Sequence, residues 1–388
     1  MVTTEVTQVS WLGRIRESIK GFIVGLGLFV AAFPLLFWNE GRAVRTEKSL
    51  NEGAGAVVSI PASEVNSAFE QKLVHLTGRA TTDETLTDPE FGVTAPSAIA
   101  LRRNVEMYQW VEETSTEERK KLGGGSERVT TYSYTKKWSD DAIDSSSFRE
   151  ADAHQNPGSL PFESRLVGAE KVTLGAFTLP VSLVGKMNDY ETLSIDGKSL
   201  PTDKANLHVH DGTLYLGTNP SSPAIGDTRV IFQVVRPADV SVVSKQAGNS
   251  FEAYQASAGM SIEMLRRGVF TAQSMFETAL AQNTRMTWIL RGLGFFLMFI
   301  GLSLFFRPLS VLGDVVPMIG SLLAFGTGLF AFVISAGLSI GTIGMAWIFY
   351  RPVLGIALLV LAIAPLVMLA VRGRKRVAAR AVTEPATA

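Results

Sequence analysis

The chain contains no cysteine, which excludes disulfides, thiolate metal sites and cysteine nucleophiles. It has no usable N-glycosylation acceptor: Asn219 is followed by Pro220, and no other asparagine has Ser or Thr two residues on. Both absences suit a bacterial envelope protein better than one matured in the eukaryotic secretory pathway. No nucleophile elbow, phosphate-binding glycine loop, His-Glu-x-x-His helix or paired-carboxylate signature occurs either. The chain is therefore not expected to be an enzyme, and no catalytic residue, cofactor or metal is assigned. Histidine is scarce, with four in the chain. His208 and His210, with Asp211 beside them, face one way in a strand, but a Zn²⁺ site needs further ligands that the sequence does not identify. His154 lies in a Pro-Gly-rich turn and is expected to make a loop contact, not to act as a general base.

Charge is nearly absent from Gly292 to Val371, where only Arg307, Asp314 and Arg351 are charged. A membrane span needs roughly 20 apolar residues, and the uncharged run Val315 to Tyr350 exceeds that alone. A second uncharged run, Gly21 to Trp38, lies near the N-terminus. It ends in Phe37-Trp38-Asn39-Glu40 without a small-x-small cleavage site, so it reads as an uncleaved anchor. The expected fold is α+β: a four-span α-helical membrane protein with a large β-rich soluble domain inserted between spans 1 and 2. Residues 1–20 form a cytoplasmic N-terminus, 21–38 the first span, and 39–268 the β-rich periplasmic or lumenal domain. A juxtamembrane helix at 269–288 leads to spans at 289–306, 322–349 and 353–371, with a basic cytoplasmic tail at 372–388.

The formal net charge of zero hides a segregation. Residues 39–284 hold 24 Lys and Arg against 32 Asp and Glu, while the remainder holds 12 against 4. An acidic domain repels phosphate backbones, so nucleic acid is not an expected partner. Arg372, Arg374, Lys375, Arg376 and Arg380 mark the tail as cytoplasmic by the positive-inside rule. The same tail suits anionic lipid headgroups. The expected location is a bacterial inner membrane, multi-pass, with the large domain periplasmic.

Within that domain, Leu73–Ala80, Val172–Leu179, Leu207–Leu216, Arg229–Val235 and Val240–Ser244 are short β-rich runs bounded by turn residues. Asn104–Glu113 and Arg128–Trp138 read as a hairpin whose tip, Thr114–Glu127 with Gly123-Gly124-Gly125, is charged and mobile. After Gly268 the period becomes helical: Phe276, Leu280, Asn283 and Thr287 mark one face.

The phrase Leu101-Arg102-Arg103-Asn104-Val105-Glu106-Met107-Tyr108-Gln109-Trp110-Val111-Glu112 closely resembles a segment of the LUMA, or transmembrane protein 43, family. Other runs resemble that family in the same order: Asn39-Glu40-Gly41-Arg42, Tyr132-Ser133-Tyr134 with Trp138, His154-x-Asn156-Pro157, Gly226-Asp227-x-Arg229-Val230 and Trp347-x-Phe349-Tyr350-Arg351-Pro352. The resemblance implies a four-span protein, in eukaryotes of the endoplasmic reticulum and inner nuclear membrane, with a lumenal domain. It implies self-association and binding to other membrane proteins, and it carries over no catalytic residue. The absence of cysteine and sequons points to a bacterial member, for which nuclear partners do not apply.

Two sets of residues are candidates for contact. Gly337-x-x-x-Gly341, flanked by Ser335 and Ser339, offers small residues on a helix, the arrangement that lets helices approach closely in lipid. It serves either packing within the chain or a contact between subunits. Tyr108 and Trp110 share one face of one strand, and Tyr132, Tyr134 and Trp138 one face of the other. If the faces coincide, the rings form one patch, either a packed sheet face or a partner- or membrane-contacting surface. The reading reached is a self-associating membrane scaffold that organises other membrane or envelope proteins. Its rivals are an envelope lipid- or glycan-modifying enzyme and a channel or channel subunit.

Overall fold

The structure, a computed structural model, describes residues 2–196 and 207–357. The chain is α+β and divides into two compact units: one comprises residues 1–7, 49–119 and 127–279, the other 8–48, 120–126 and residues from 280 on.

In chain order, strand β1 is Val2–Val9 and helix α1 is Trp11–Ala56. Strands β2 (Leu73–Thr81), β3 (Ala100–Lys120), β4 (Ser126–Ser139), β5 (Leu207–His210), β6 (Thr213–Leu216), β7 (Thr228–Val235) and β8 (Ala238–Ala247) follow. Helices α2 (Ala272–Gly313) and α3 (Pro317–Tyr350) complete the longer elements.

The first unit holds two sheets. The larger runs β1–β4–β3–β7–β6–β5, with short strands Glu191–Thr192 on β7 and Arg165–Gly168 on β3. β7 pairs antiparallel with β3 from Thr228↔Met107 to Val235↔Ala100. The tight turn after Val235 then sends the chain into β8, which pairs with β2 from Ala238↔Ala80 to Lys245↔Leu73 in the second sheet. Each sheet buries an apolar cluster. One gathers Leu101, Val105, Leu214, Val230 and Phe232; the other gathers Val74, Leu76, Leu174, Phe177, Val240 and Val242. Alternation along β3 explains the first: Leu101, Arg103, Val105, Met107 and Gln109 are all buried, while the residues between them are half-buried. Arg103 is tolerated there because Asp88 receives it with both oxygens, at 2.8 and 2.9 Å, and Glu163 O accepts its Nε at 2.9 Å. An uncompensated charge in that core would cost several kcal/mol.

Among the described residues, three helices are long and apolar enough to cross a membrane: α1, α2 and α3. This is fewer than the four spans expected. The fourth, 353–371, lies outside the described residues from residue 358 on. The juxtamembrane helix runs straight into the second span as one element, since α2 is continuous through Pro308 to Gly313. Proline removes one backbone donor there, a loss that membrane helices absorb by local adjustment.

Three further boundaries differ from expectation. α1 does not end at the membrane edge but continues to Ala56, because no proline follows Trp38 before Pro61 and Ala43, Val44 and Leu50 are buried by packing. The β4 hairpin partner begins at Ser126 and β3 extends to Lys120, so the tip is a short turn and not the long charged loop from Thr114 to Glu127. Residues 1–20 include a strand that the sequence did not mark. Val2–Val9 is rich in Val and Thr, which favour strands, and it is hydrogen-bonded to β4 as the outermost strand of the larger sheet.

Candidate functional site

The aromatic residues of the hairpin do share a face, and its two halves are built differently. Tyr108 and Trp138 pack at 5.3 Å between ring centroids, and Trp138 meets Tyr215 edge-on at 6.2 Å. The Arg229 guanidinium lies 4.6 Å from the Trp138 ring while its Nε donates to Glu106. Tyr215 in turn donates to Asp227 Oδ2 at 2.5 Å. Burial, then the Asp227 carboxylate, push its phenol well above the ordinary range.

The other half is closed by the segment after β4. His154, 4 % exposed, stacks on Tyr134 at 3.7 Å and 9°, with Trp110 edge-on to it at 4.7 Å. Tyr134 OH donates to Glu112 Oε2 at 2.7 Å and accepts from the Glu150 amide at 3.0 Å. Asn156 takes the place of a neighbouring strand. Its Oδ1 accepts from Trp110 N at 2.7 Å and its Nδ2 donates to Trp110 O at 2.9 Å. This occurs just past the stretch that β7 covers, where Tyr108 still exchanges backbone bonds with Gly226 and Asp227. Without the amide, Trp110 would leave two backbone groups unpaired in a partly buried place. Gln109, fully buried, clamps the same segment from the opposite face by donating to Asp141 O and accepting from Ile143 N, both at 2.8 Å. Tyr132 stands apart from this packing and donates to Glu5 of β1 at 3.3 Å. Tyr134 is thus enclosed, and Tyr108, Trp110 and Trp138 remain half-buried. His208 extends the Tyr108–Trp138 half by lying against Tyr215 at 5.3 Å, and His210 lies 3.4 Å from Asp211.

The helical unit has its own polar sites. Asn39-Glu40-Gly41-Arg42 forms a belt with α2 and α3. Glu40, 2 % exposed, accepts from Arg291 at 2.6 and 2.8 Å and from Trp347 Nε1 at 2.7 Å. Asn39 donates to Thr287 O at 3.1 Å, Arg42 donates to Asn283 Oδ1 at 3.0 Å, and Asn283 donates to Ala43 O at 2.9 Å. Gly41 is required by proximity, since a Cβ there would lie 2.6 Å from the Tyr350 ring. A second cluster ties the start of α1 to the end of α2. Asp314, 1 % exposed, receives Arg14 Nη2 at 2.6 Å and Lys120 Nζ at 2.7 Å. Arg14 also donates to Gly124 O at 2.7 Å. Gly124 has φ +81 and presses on Trp11, where a Cβ would come within 2.3 Å. Such a position admits only glycine.

The small residues of α3 divide between two faces. Ser335 and Ser339 are buried, and Ser339 Oγ lies 3.7 Å from Met298 Sδ of α2. Gly337 and Gly341 turn elsewhere, and a Cβ on either would meet nothing within 4 Å among the described residues. The close helix crossing is formed instead by Gly25 of α1 and Gly301 of α2: a Cβ on Gly25 would stand 2.5 Å from Gly301 O. Gly301 was not singled out from sequence, because its partner is a glycine more than 270 residues away. Asp314 carried a readable signal, a lone carboxylate in a long apolar stretch.

Two outcomes follow. Burial first, then the Glu112 carboxylate, hold the Tyr134 phenol above its ordinary value of 10.0. The native state therefore favours the neutral ring, and its contribution is complete below the unfolded value. It is lost as pH rises through about 10 toward the folded value. Tyr134→Phe is expected to flatten the alkaline decline seen in thermal melts between pH 9 and 11; an unchanged decline would assign it to other phenols. In the helical unit, Glu40→Ala and Arg291→Ala should each destabilise the extracted protein by about 3–5 kcal/mol, and the double change no more than either alone. Additive losses would show the pair to be uncoupled.

Comparison with known proteins places these motifs in context. The family profile described as transmembrane protein 43 matches residues 107–352. The human transmembrane protein 43 is 35% identical over 376 residues, covering 93% of this chain and 92% of its own. The mouse protein is 35% identical over 379 residues, with 95% and 93% covered. A Drosophila melanogaster homolog is 31% identical over 354 residues, with 89% and 93% covered. No solved structure matches the chain.

Proposed function

The chain belongs to the transmembrane protein 43 family, and on that footing we propose that it is a non-enzymatic membrane platform that self-associates and holds other membrane or envelope proteins. One observation supports self-association most directly: the open edge of β1. This strand ends the order of the larger sheet, so one row of its backbone donors and acceptors has no strand beside it among the described residues. Its sequence, Val-Thr-Thr-Glu-Val-Thr-Gln-Val, carries a single charge, and Val2 and Val6 are 66 and 54 % exposed. Long apolar edges without lysine or proline are templates for strand addition. A second copy offers the same edge, and antiparallel pairing of the two is a closed, symmetric contact.

The non-enzymatic reading draws on how the polar side chains are used. Glu40, Asp88, Glu106, Glu112, Asp227 and Asp314 each spend their carboxylates on arginine, tyrosine, tryptophan or backbone groups within their own unit. In the orientation proposed, the basic residues after Val371 face the cytoplasm of a bacterial inner membrane and the β-rich unit faces the periplasm. Residues 353–371 supply the fourth apolar segment, and the half-buried Tyr108–Trp138 surface is offered to partner proteins.

The test is the native mass of the full chain in nanodiscs, for wild type and Val6→Lys. The expected outcome is a wild-type particle of more than one copy and a smaller one for Val6→Lys, with circular dichroism unchanged. A monomeric wild type, or identical particles for both, would remove β1 from any subunit contact.

A further inference from the structure

An apolar groove of about 760 Å³ lies within the helical unit, between α1 and α3. Phe33 and Phe37 form one wall, and Gly337 and Gly341 the other. The glycines give the groove its width, since nothing among the described residues comes within 4 Å of where their side chains would be. Thr342, which also lines it, spends its hydroxyl on Leu338 O at 2.7 Å, so the wall offers no free polar group from that side chain.

The groove has a chemically distinct end. Trp38, 52 % exposed, closes the apolar run of α1, and Arg45 lies seven residues further along the same helix. Seven residues make nearly two turns, so Arg45 stands on the Trp38 face, roughly 10 Å beyond it. Tryptophan concentrates at the headgroup boundary, and a cation one step outside it is at the level of lipid phosphates. Other arginines near this end are used internally: Arg291 by Glu40, Arg351 by Glu47, and Arg42 by Asn283 and Thr287. Arg45 is exposed and has no ion-pair partner among the described residues.

We infer that this groove is a binding site for one anionic phospholipid, with an acyl chain lying along Gly337 and Gly341 and the phosphate paired with Arg45. Lipid is the solvent of such a surface, so an apolar groove alone selects nothing. The unpaired guanidinium at its end selects an anionic headgroup, and attraction of this kind favours one lipid over another by about fivefold per basic residue.

The experiment uses the full chain, delipidated in detergent and titrated with phosphatidylglycerol or phosphatidylcholine. Bound lipids are counted by native mass spectrometry for wild type, Arg45→Gln and Gly341→Leu. Wild type is expected to retain one phosphatidylglycerol about fivefold more readily than phosphatidylcholine. Arg45→Gln should bind both lipids equally, and Gly341→Leu, which fills the groove, should retain neither while its circular dichroism is unchanged. Retention like wild type in both variants would overturn the site. So would a wild type that retains no lipid while Gly341→Leu melts earlier, which would give the groove to residues 358–371 of the same chain. A smaller particle for Gly341→Leu with unchanged lipid retention would give it to a second copy. Should Gly341→Leu fail to fold, loss of headgroup preference in Arg45→Gln still decides, and its persistence overturns the proposal.

Discussion

A carboxylate removed from water must be met by a cation, and each unit of this protein is organised where that requirement is satisfied. Among the described residues, the deeply buried acids are Glu40, Asp88 and Asp314, none more than 2 % exposed. Each is received by an arginine: Arg291, Arg103 and Arg14. The partners come from distant parts of the chain, so each pair specifies which elements must meet. Asp88 and Arg103 place the loop before β3 against the sheet. Glu40 and Arg291 bring α1 to α2, with Trp347 adding α3, and Asp314 and Arg14 join the opposite ends of the same two helices. Apolar helices slide past one another at little cost in lipid, where packing alone holds them. An ion pair set into that surface fixes the register, because a shift of one turn would strand both charges.

Hydrogen-bonding side chains extend the same logic into the β-rich unit. Asn156 completes the edge of β3 where β7 stops, and Gln109 holds the facing segment from the other side. Between them the segment from Asp141 to Asn156 is pinned to the sheet by amide groups whose geometry matches a backbone peptide. The Trp110–His154–Tyr134 stack then fills the space that the clamps enclose. Most residues that carry the likeness to the transmembrane protein 43 family are accounted for in this way: Arg103, Gln109, Trp110, Tyr134, His154, Asn156, Glu40 and Trp347 each hold one element against another. Arg229 and Trp138 pack together as well, though their surface is only half-buried.

Local patterns made much of this legible in advance. Uncharged runs located the apolar part of every long helix, alternation placed the aromatic residues on one face, and strand-rich runs marked β2, β7 and β8. What stayed hidden was set by partners far away. The extension of α1 to Ala56 depends on burial against α2, and the ordered tip of the hairpin depends on Arg14 and Asp314. Gly337 and Gly341 meet nothing among the described residues, while the close crossing is at Gly25 and Gly301, two glycines on different helices whose pairing the spacing within either helix does not show. β1 escaped notice because eight residues of Val, Thr, Glu and Gln before a basic flank form a strand only when β4 is there to pair with.

That pairing joins residues 2–9 to residues 126–139, which are made later, and so sets an order of assembly. During synthesis at about 5–20 residues per second, β1 is finished on the order of ten seconds before its neighbour exists. Throughout that interval the strand is a short, nearly uncharged ribbon with both edges open, attached directly to an apolar helix that is already seeking lipid. Insertion of α1 therefore precedes completion of the sheet, and the membrane itself becomes the tether that keeps β1 close to where β4 will arrive. The larger sheet closes from its later-made strands back to β1, so residues 2–9 are among the final parts of the molecule to find their place.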